Sequence, residues 1–477
     1  MQTNLKILSV DLDGTLIKTN LLCETFWSSF SNDLLIPIKA LFASFQGKTY
    51  LSKVLLNSSS LNIKSLPYNK AVIEYISNHR AKGGKVALIS DINHKIVNNI
   101  AEHLNLFDEV YCASSLTNFK GSDKENMHEK IFGKRNFDYI GNSSKDIKIW
   151  GISNKAITFN AGKSLKRECE LINFNTFHLV DTDKRELLSS FFQEIRPYQW
   201  IKNILLFIPL IAAQDFDKTT LFYAFLSFFS FSITSSSVYI LNDLLDIKAD
   251  RNHPIKYKRP FASGSLPLGL GFILGILLLL LGLTIGFTVS KSFIAILLTY
   301  YFITLSYSFY LKRKALVDIF ILSGLYTLRL LAGSVATNVN ISFWLLVFSI
   351  FIFLSLAAIK RQSELIDLLN RNKNRIENRG YSIRDLDFIR TLGISSGLIS
   401  ILVLSLYLNS PKVLVLYSDP KFLWIACFFF LFWFIRVCLK TDRGEMQYDP
   451  IIFAFKDRVS NYIFGSIILL LIFSNIL

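Results

Sequence analysis

Two short strings in this chain have residue types and spacings that suit chemistry. The first is Asp11-Leu12-Asp13-Gly14-Thr15. It ends the apolar run Leu5–Val10, which reads as a buried strand. Both carboxylates therefore arrive at the strand's C-terminal end, where α/β folds place their sites. Side chains alternate along a strand, so Asp11 and Asp13 point the same way. The second string is Asn242-Asp243-Leu244-Leu245-Asp246-Ile247-Lys248-Ala249-Asp250. Asp243, Asp246 and Asp250 are spaced i, i+3, i+7, which on a helix puts three carboxylates on one face. They repel one another unless cations neutralise them. Mg²⁺ bridging to a substrate diphosphate fits, because it takes a few carboxylates together with phosphate oxygens. The chain continues with Arg251, Lys256, Lys258 and Arg259, and cations beside an acidic metal cluster suit a highly phosphorylated ligand. His253 precedes a proline and reads as structural or solvated.

The elements that must carry these strings differ in kind. In the first part of the chain, strand candidates recur at Lys85–Ile89, Asp108–Cys112, Phe137–Ile140 and Ala156–Phe159, separated by helical stretches. That alternation predicts a parallel sheet with helices on both faces over residues 1–165. Leu21–Tyr68, polar and helix-like, is expected to form a small cap. Residues 166–193 read as a linker ending in a helix. Residues 194–477 read as an all-α polytopic membrane domain, because about 20 apolar residues span the hydrocarbon core. Apolar stretches near 200–214, 219–241, 268–289, 292–310, 316–337, 341–359, 391–408, 421–439 and 459–477 predict about nine spans. Lys and Arg gather in alternate loops: 248–259, 312–314, 360–384 and 440–458. The opposite loops hold little beyond Lys218, Lys291, Lys412 and Lys421. The positive-inside rule then puts the Asp243 loop in the cytoplasm. Asp11 and Asp13 interrupt the first apolar run, so it is no secretory signal, and the front domain is expected on the same side.

Composition agrees. The chain is 51% hydrophobic with 42 Phe, more aromatic apolar surface than soluble domains need. A net charge of +16 suggests nucleic acid, anionic lipid or phosphorylated ligands. The membrane runs favour the last two, and no nucleic-acid partner is expected. None of the five cysteines forms a CxxC pair, so there is no zinc or disulfide signature.

The Asp-x-Asp-Gly-Thr string resembles the first motif of the haloacid dehalogenase-like phosphohydrolases. The resemblance implies that Asp11 is the nucleophile and Asp13 the general acid/base. It makes Ser90 the phosphate-binding hydroxyl and Lys124 the charge-neutralising lysine, with Lys120 a second choice. Asn142 and Asp146, in Gly141-Asn142-Ser143-Ser144-Lys145-Asp146, fall in the metal-binding motif with Asp11. The family usually has Asp where this chain has Asn142, which offers an oxygen without charge, so Mg²⁺ affinity should fall.

The back half resembles the UbiA-type prenyltransferase superfamily through Asn242-Asp243-x-x-Asp246-x-x-x-Asp250. Arg196-Pro197-Tyr198-Gln199-Trp200-Ile201-Lys202-Asn203, Lys258-Arg259-Pro260, Asp318, Leu328-Arg329, Lys360-Arg361-Gln362 and Asp449-Pro450 narrow the resemblance to the decaprenyl-phosphate phosphoribosyltransferase branch. In that branch a polyprenyl phosphate displaces the diphosphate of phosphoribosyl diphosphate. The resemblance implies Mg²⁺ on Asp243, Asp246 and Asp250, and substrate contacts from Asn242, Lys202, Asn203, Arg259, Lys360 and Arg361. Asp318 would hold a metal or position the ribose. The front domain would then dephosphorylate the product. Two other readings compete. One is a conventional polyprenyltransferase acting on an aromatic acceptor, with an inert front domain. The other is a transporter or lipid-binding protein, which would scatter charges along several helices rather than gather them around one Asp motif.

Overall fold

The computed structural model describes residues 5–90, 93–112, 124–181, 187–371, 379–410, 413, 417, 419, 421–446 and 449–476. The chain forms two compact units: Met1–Ile195 with Ile240–Leu274, and Arg196–Tyr239 with Gly275–Leu477.

The first unit is built on strands β1 (Ile7–Asp11), β2 (Val86–Ser90), β3 (Glu109–Cys112), β4 (Phe137–Gly141), β5 (Lys155–Phe159) and β6 (Thr176–Leu179). All pairings are parallel, in the order β3-β2-β1-β4-β5-β6. Parallel strands need crossover connections, and here these are helical. Helices α1 (Leu21–Phe30), α2 (Ile36–Phe45) and α3 (Lys48–Ser58) follow β1 and share a small core of Ile36, Ala40 and Leu55, which is the expected cap. Then come α4 (Lys70–Ala81), α5 (His94–Leu104), α6 (Lys124–Phe132), α7 (Ile147–Ile152), α8 (Lys163–Ile172) and α9 (Leu187–Ile195). The sheet is apolar on both faces, as a doubly covered sheet must be. Leu8, Val10, Val86 and Leu88 pack on α4 and α5 residues such as Val72, Ile76 and Val97. Phe137, Tyr139 and Ala156 pack on Ile149, Trp150 and Cys169. The stretch read as a linker, 166–193, is more than that: it finishes α8 and supplies β6. Thr176–Leu179 is short and half-buried, so its apolar signal is weak.

In the membrane part, seven helices among the described residues are long and apolar enough to cross a bilayer: Lys218–Leu245, Leu268–Val289, Lys291–Phe309, Val317–Thr337, Phe343–Asn370, Ile383–Leu408 and Lys421–Asp442. Pro450–Lys456 and Arg458–Ser474 meet at 82° and make an eighth if counted as one span. The expected nine long helices are therefore not found among the described residues. The stretch near 200–214 is instead a 3₁₀ segment, Pro197–Phe207, followed by the short helix Ile208–Ala213. Pro197 and Pro209 withhold backbone donors there, while hydropathy registers only the apolar side chains. Within the second unit, helices approach closely through small residues. Ser230 and Ser237 donate to the carbonyls of Gly282 and Gly275, each at 2.7 Å. A Cβ on Gly333 would lie 2.0 Å from the carbonyl oxygen of Leu206.

Candidate active sites

In the first unit the strand order reverses between β1 and β4, and such a switch point opens a crevice at the strands' C-terminal ends. Asp11 ends β1 and Asn142 follows β4 directly. The two loops touch: Gly14 has φ +76°, and a Cβ there would lie 2.2 Å from Asn142 Nδ2. Lys124, at the start of α6, donates to Asp11 Oδ1 at 2.7 Å. Burial pushes the Asp11 carboxyl up to about 6, against the pull of Lys124. Asp13 accepts from the Leu21 amide at 2.9 Å and from Asn20 at 3.0 Å, so it also fixes the entry to α1. Ser90 is buried at the end of β2, one residue past Ile89, the register partner of Asp11. Lys120 lies outside the described residues.

Asp146, expected near the metal, is engaged within its own loop. Its Oδ1 accepts from Tyr139 at 2.9 Å. Its Oδ2 accepts from the amides of Asn142 and Ser143 and from the Ser143 hydroxyl. It holds its own loop together. His128 escaped sequence reading, since a lone histidine on α6 carries no signal. It is buried between Ser9 Oγ, 3.0 Å from Nε2, and the Lys124 carbonyl, 2.6 Å from Nδ1.

The Asp-rich string also belongs to this unit. The spacing argument assumed one unbroken helix, but the spanning helix stops at Leu245 and a short helix, Ile247–Arg251, restarts after Asp246. Asp243 lies in the last turn of the span, Asp246 at the break, and Asp250 on the short helix. Asp243 and Asp250 nevertheless converge. Arg259 Nη1 is 3.0 Å from Asp243 Oδ1 and 2.6 Å from Asp250 Oδ2. Two buried carboxylates thus aim at one cationic point, which is the arrangement a divalent ion shared with phosphate oxygens requires. Arg259, expected as a phosphate ligand, occupies that point. Burial raises the Asp250 carboxyl to about 6, with Arg259 opposing and Asp243 adding to the rise. Among the described residues no three His, Cys, Asp or Glu side chains gather around one metal position, so the residues fit a cation only with ligand oxygens completing its shell. Arg251, read with its neighbours as a cation for a phosphorylated ligand, forks onto Glu24 of α1 at 2.6 and 3.0 Å.

The second unit holds two further charge clusters. Lys202 and Lys360 each reach Asp449 Oδ2 at 3.0 Å, with the Tyr326 hydroxyl at 3.4 Å. One nearly buried carboxylate oxygen therefore gathers two ammonium groups, of which only that of Lys360 is partly exposed. In the other cluster, Arg361 is fully buried and grips Asp318 through Nε (2.5 Å) and Nη2 (3.1 Å). Its Nη1 holds Glu364, while Tyr307 and Arg379 close on Asp318 at 2.7 and 3.3 Å. Arg361 and Asp318 were expected on the ligand separately, yet they satisfy each other. Asn203 is likewise engaged at both ends, donating to Ser232 and accepting from Arg329, each at 2.9 Å.

A helical membrane protein with an Asp-rich loop beyond a spanning helix, fused to a parallel α/β unit with a carboxylate site, is the class these features define. The model of the UbiA prenyltransferase family matches residues 204–457. That is more than half of the chain, and the chain belongs to this family. The chain is 32% identical to the uncharacterized protein y4nM of Sinorhizobium fredii over 461 residues, 95% of this chain and 88% of that one, so the likeness includes the fused front unit. It is 32% identical over 268 residues to nodulation protein NoeC of Azorhizobium caulinodans, 55% of this chain and 85% of that one. It is 30% identical over 289 residues to the decaprenyl-phosphate phosphoribosyltransferase of Mycolicibacterium smegmatis, 59% of this chain and 90% of that one.

Proposed function

We infer that the chain moves a 5-phosphoribosyl group from phosphoribosyl diphosphate to a polyprenyl phosphate. The front unit then removes the 5-phosphate to leave polyprenyl-phosphoryl-ribose. The observation that carries the reading is the convergence of Asp243 and Asp250 on one cationic point, in a chain similar to a decaprenyl-phosphate phosphoribosyltransferase.

In the first step an oxygen of the lipid phosphate attacks the ribose anomeric carbon, and the bond from that carbon to the diphosphate breaks. Mg²⁺ held by Asp243 and Asp250, with Asp246 and Asn242 nearby in sequence, would neutralise the leaving diphosphate. Arg259 exchanges its carboxylate partners for phosphate oxygens as the ligand arrives, and a guanidinium fork suits them. Lys202 and Lys360, kept together by Asp449, are our choice for the donor's remaining oxygens. The Asp318–Arg361 pair positions rather than binds. In the second step the Asp11 carboxylate attacks phosphorus and the bond to the ribose oxygen breaks. Asp13 supplies the proton to that oxygen, and water releases phosphate from the aspartyl ester. Lys124 and Ser90 hold the phosphate oxygens, and Asp11 and Asn142 would share the front Mg²⁺.

We take both sites to lie at the cytoplasmic face, where Lys and Arg concentrate. Residues 1–195 and 240–274 form one unit, so an even number of crossings should separate Ile195 from Asp243. Helix Lys218–Leu245 is one. The segment from Pro197 to Ala213, about 30 Å long at helical rises, supplies the other and restores nine crossings.

Purified protein given labelled phosphoribosyl diphosphate, Mg²⁺ and a panel of polyprenyl phosphates should form lipid-soluble label. Asp11→Asn should leave that step intact and make the phosphorylated lipid accumulate. Prenylation of hydroxybenzoate with no lipid-soluble label would favour the conventional prenyltransferase, and an unchanged ratio of the two lipid products would remove the front unit from the pathway.

A further inference from the structure

Helix α2 reads Ile-Pro-Ile-Lys-Ala-Leu-Phe-Ala-Ser-Phe. Its inner face, Ile36, Ala40 and Ala43, is buried, and it packs beside Leu22, Phe26 and Leu51 of α1 and α3. Its outer face is equally apolar: Leu35, Ile38, Leu41, Phe42 and Phe45 are exposed, the last at 81%. These recur at helical spacing along one side. The one charge on the helix, Lys39, is paired with Asp33 at 2.6 Å. A helix that has filled its domain's core and still presents a continuous apolar stripe has a second apolar partner.

The same unit indicates which. Helix α1, on which α2 folds, rests on the first turns of the spanning helix Leu268–Val289. The Trp27 and Phe272 rings lie 6.0 Å apart, and Cys23 Sγ would be 3.9 Å from a Cβ on Gly269. An element leaning on the entry of a membrane span sits at headgroup depth, where an amphipathic stripe buries itself at the acyl boundary. We propose that the outer face of α2 docks in the lipid interface and holds the mouth of the front site over lipid-linked substrate. The cap and the site are joined directly, because Asp13 accepts from the first amide of α1. The purpose rests on the reading above, in which the front unit acts on a lipid-borne phosphate; the docking itself does not.

Two measurements on the full-length protein in phosphatidylcholine–phosphatidylglycerol nanodiscs test it. A photoreactive phenylalanine analogue at position 45 should give lipid adducts on illumination, at least fivefold above the same probe at Glu74, an exposed position on α4. Adducts to a second copy of the chain, or no enrichment over Glu74, overturn the proposal. The double variant Ile38→Asp/Phe42→Asp should lose at least tenfold in phosphate release from the lipid-linked product while hydrolysing p-nitrophenyl phosphate within twofold of wild type. Equal rates on the lipid substrate overturn the proposed purpose. If the wild type hydrolyses neither substrate, the phosphatase reading falls, and the photo-adducts still decide whether α2 is docked.

Discussion

Replacing Glu24 by Gln should loosen a segment more than two hundred residues away. Arg251, next to Asp250, our proposed metal ligand, donates through Nη1 and Nη2 to the two oxygens of Glu24 at 3.0 and 2.6 Å, and through Nε to the Ala262 carbonyl at 3.0 Å. The side chains are 6% and 2% exposed. Gln keeps the shape and the Thr19 contact, at 2.6 Å in the wild type, but removes the charge. Removing one partner of a buried ion pair costs about 3–5 kcal/mol, because the other charge stays desolvated. At about 1.4 kcal/mol per tenfold, even the lower figure predicts that the Ile247–Arg251 helix opens roughly a hundredfold more often. Amide hydrogen exchange over residues 247–251, in detergent and with the full chain, reads this directly. The double variant Glu24→Gln/Arg251→Gln should recover most of the protection, since neither charge is then stranded. Because Asp250 rides on the same turn, the Mg²⁺ concentration for half-maximal transfer should rise in Glu24→Gln. Exchange within threefold of wild type would show that the pair does not hold this helix, and the argument from burial would fail.

Three further outcomes are expected. Asp243→Asn should abolish lipid-soluble label at any Mg²⁺ concentration while the protein still inserts, and near-normal turnover at limiting Mg²⁺ would contradict the metal assignment. Gly14→Ala should destroy product dephosphorylation and spare transfer, because the new Cβ strikes Asn142 and φ is +76°; the lipid phosphoribose-to-ribose ratio measures it. His128→Gln should flatten the acid sensitivity of the front unit. The Lys124 carbonyl can only accept, so Nδ1 carries the proton and Nε2 accepts from Ser9. Burial pushes this histidine down to about 4. Its folded pKa lies below the unfolded one, so the stability it protects is lost as pH falls from about 6.5 to 4, on the order of 3 kcal/mol. Asp11, raised to about 6, acts in the opposite sense. The comparison is therefore wild type against variant: the urea midpoint for protection of the β1 amides at pH 7 and pH 4.5 should drop less in His128→Gln.

Strands and spans were legible because each is written locally. Leu5–Val10 and Val86–Ile89 are apolar runs of strand length, and twenty apolar residues in succession leave little choice of environment. The first apolar run of the membrane domain was legible as apolar but not in its conformation: hydropathy counts side chains, and the prolines at the start of its 3₁₀ segment and its short helix scarcely alter the count. The site residues were legible as residue types and illegible as partners. An i, i+3, i+7 pattern assumes one helix; the break at Asp246 lets Arg259, nine residues past Asp250, enter between the carboxylates. Buried charge demands a counter-charge, so each of these groups must have a mate, but the mates lie 43 residues apart for Asp318 and Arg361 and 247 for Lys202 and Asp449. Only the packing of separate helices selects them. The choice alters what each residue can do. Arg361 spends its guanidinium on Asp318, Glu364 and Tyr307 with no exposed surface, and we propose that it positions Asp318 rather than meeting a phosphate. Any loss of transfer on replacing it passes through Asp318, and the conservative Arg361→Lys, which cannot fork onto both oxygens, should behave as a loss rather than a rescue.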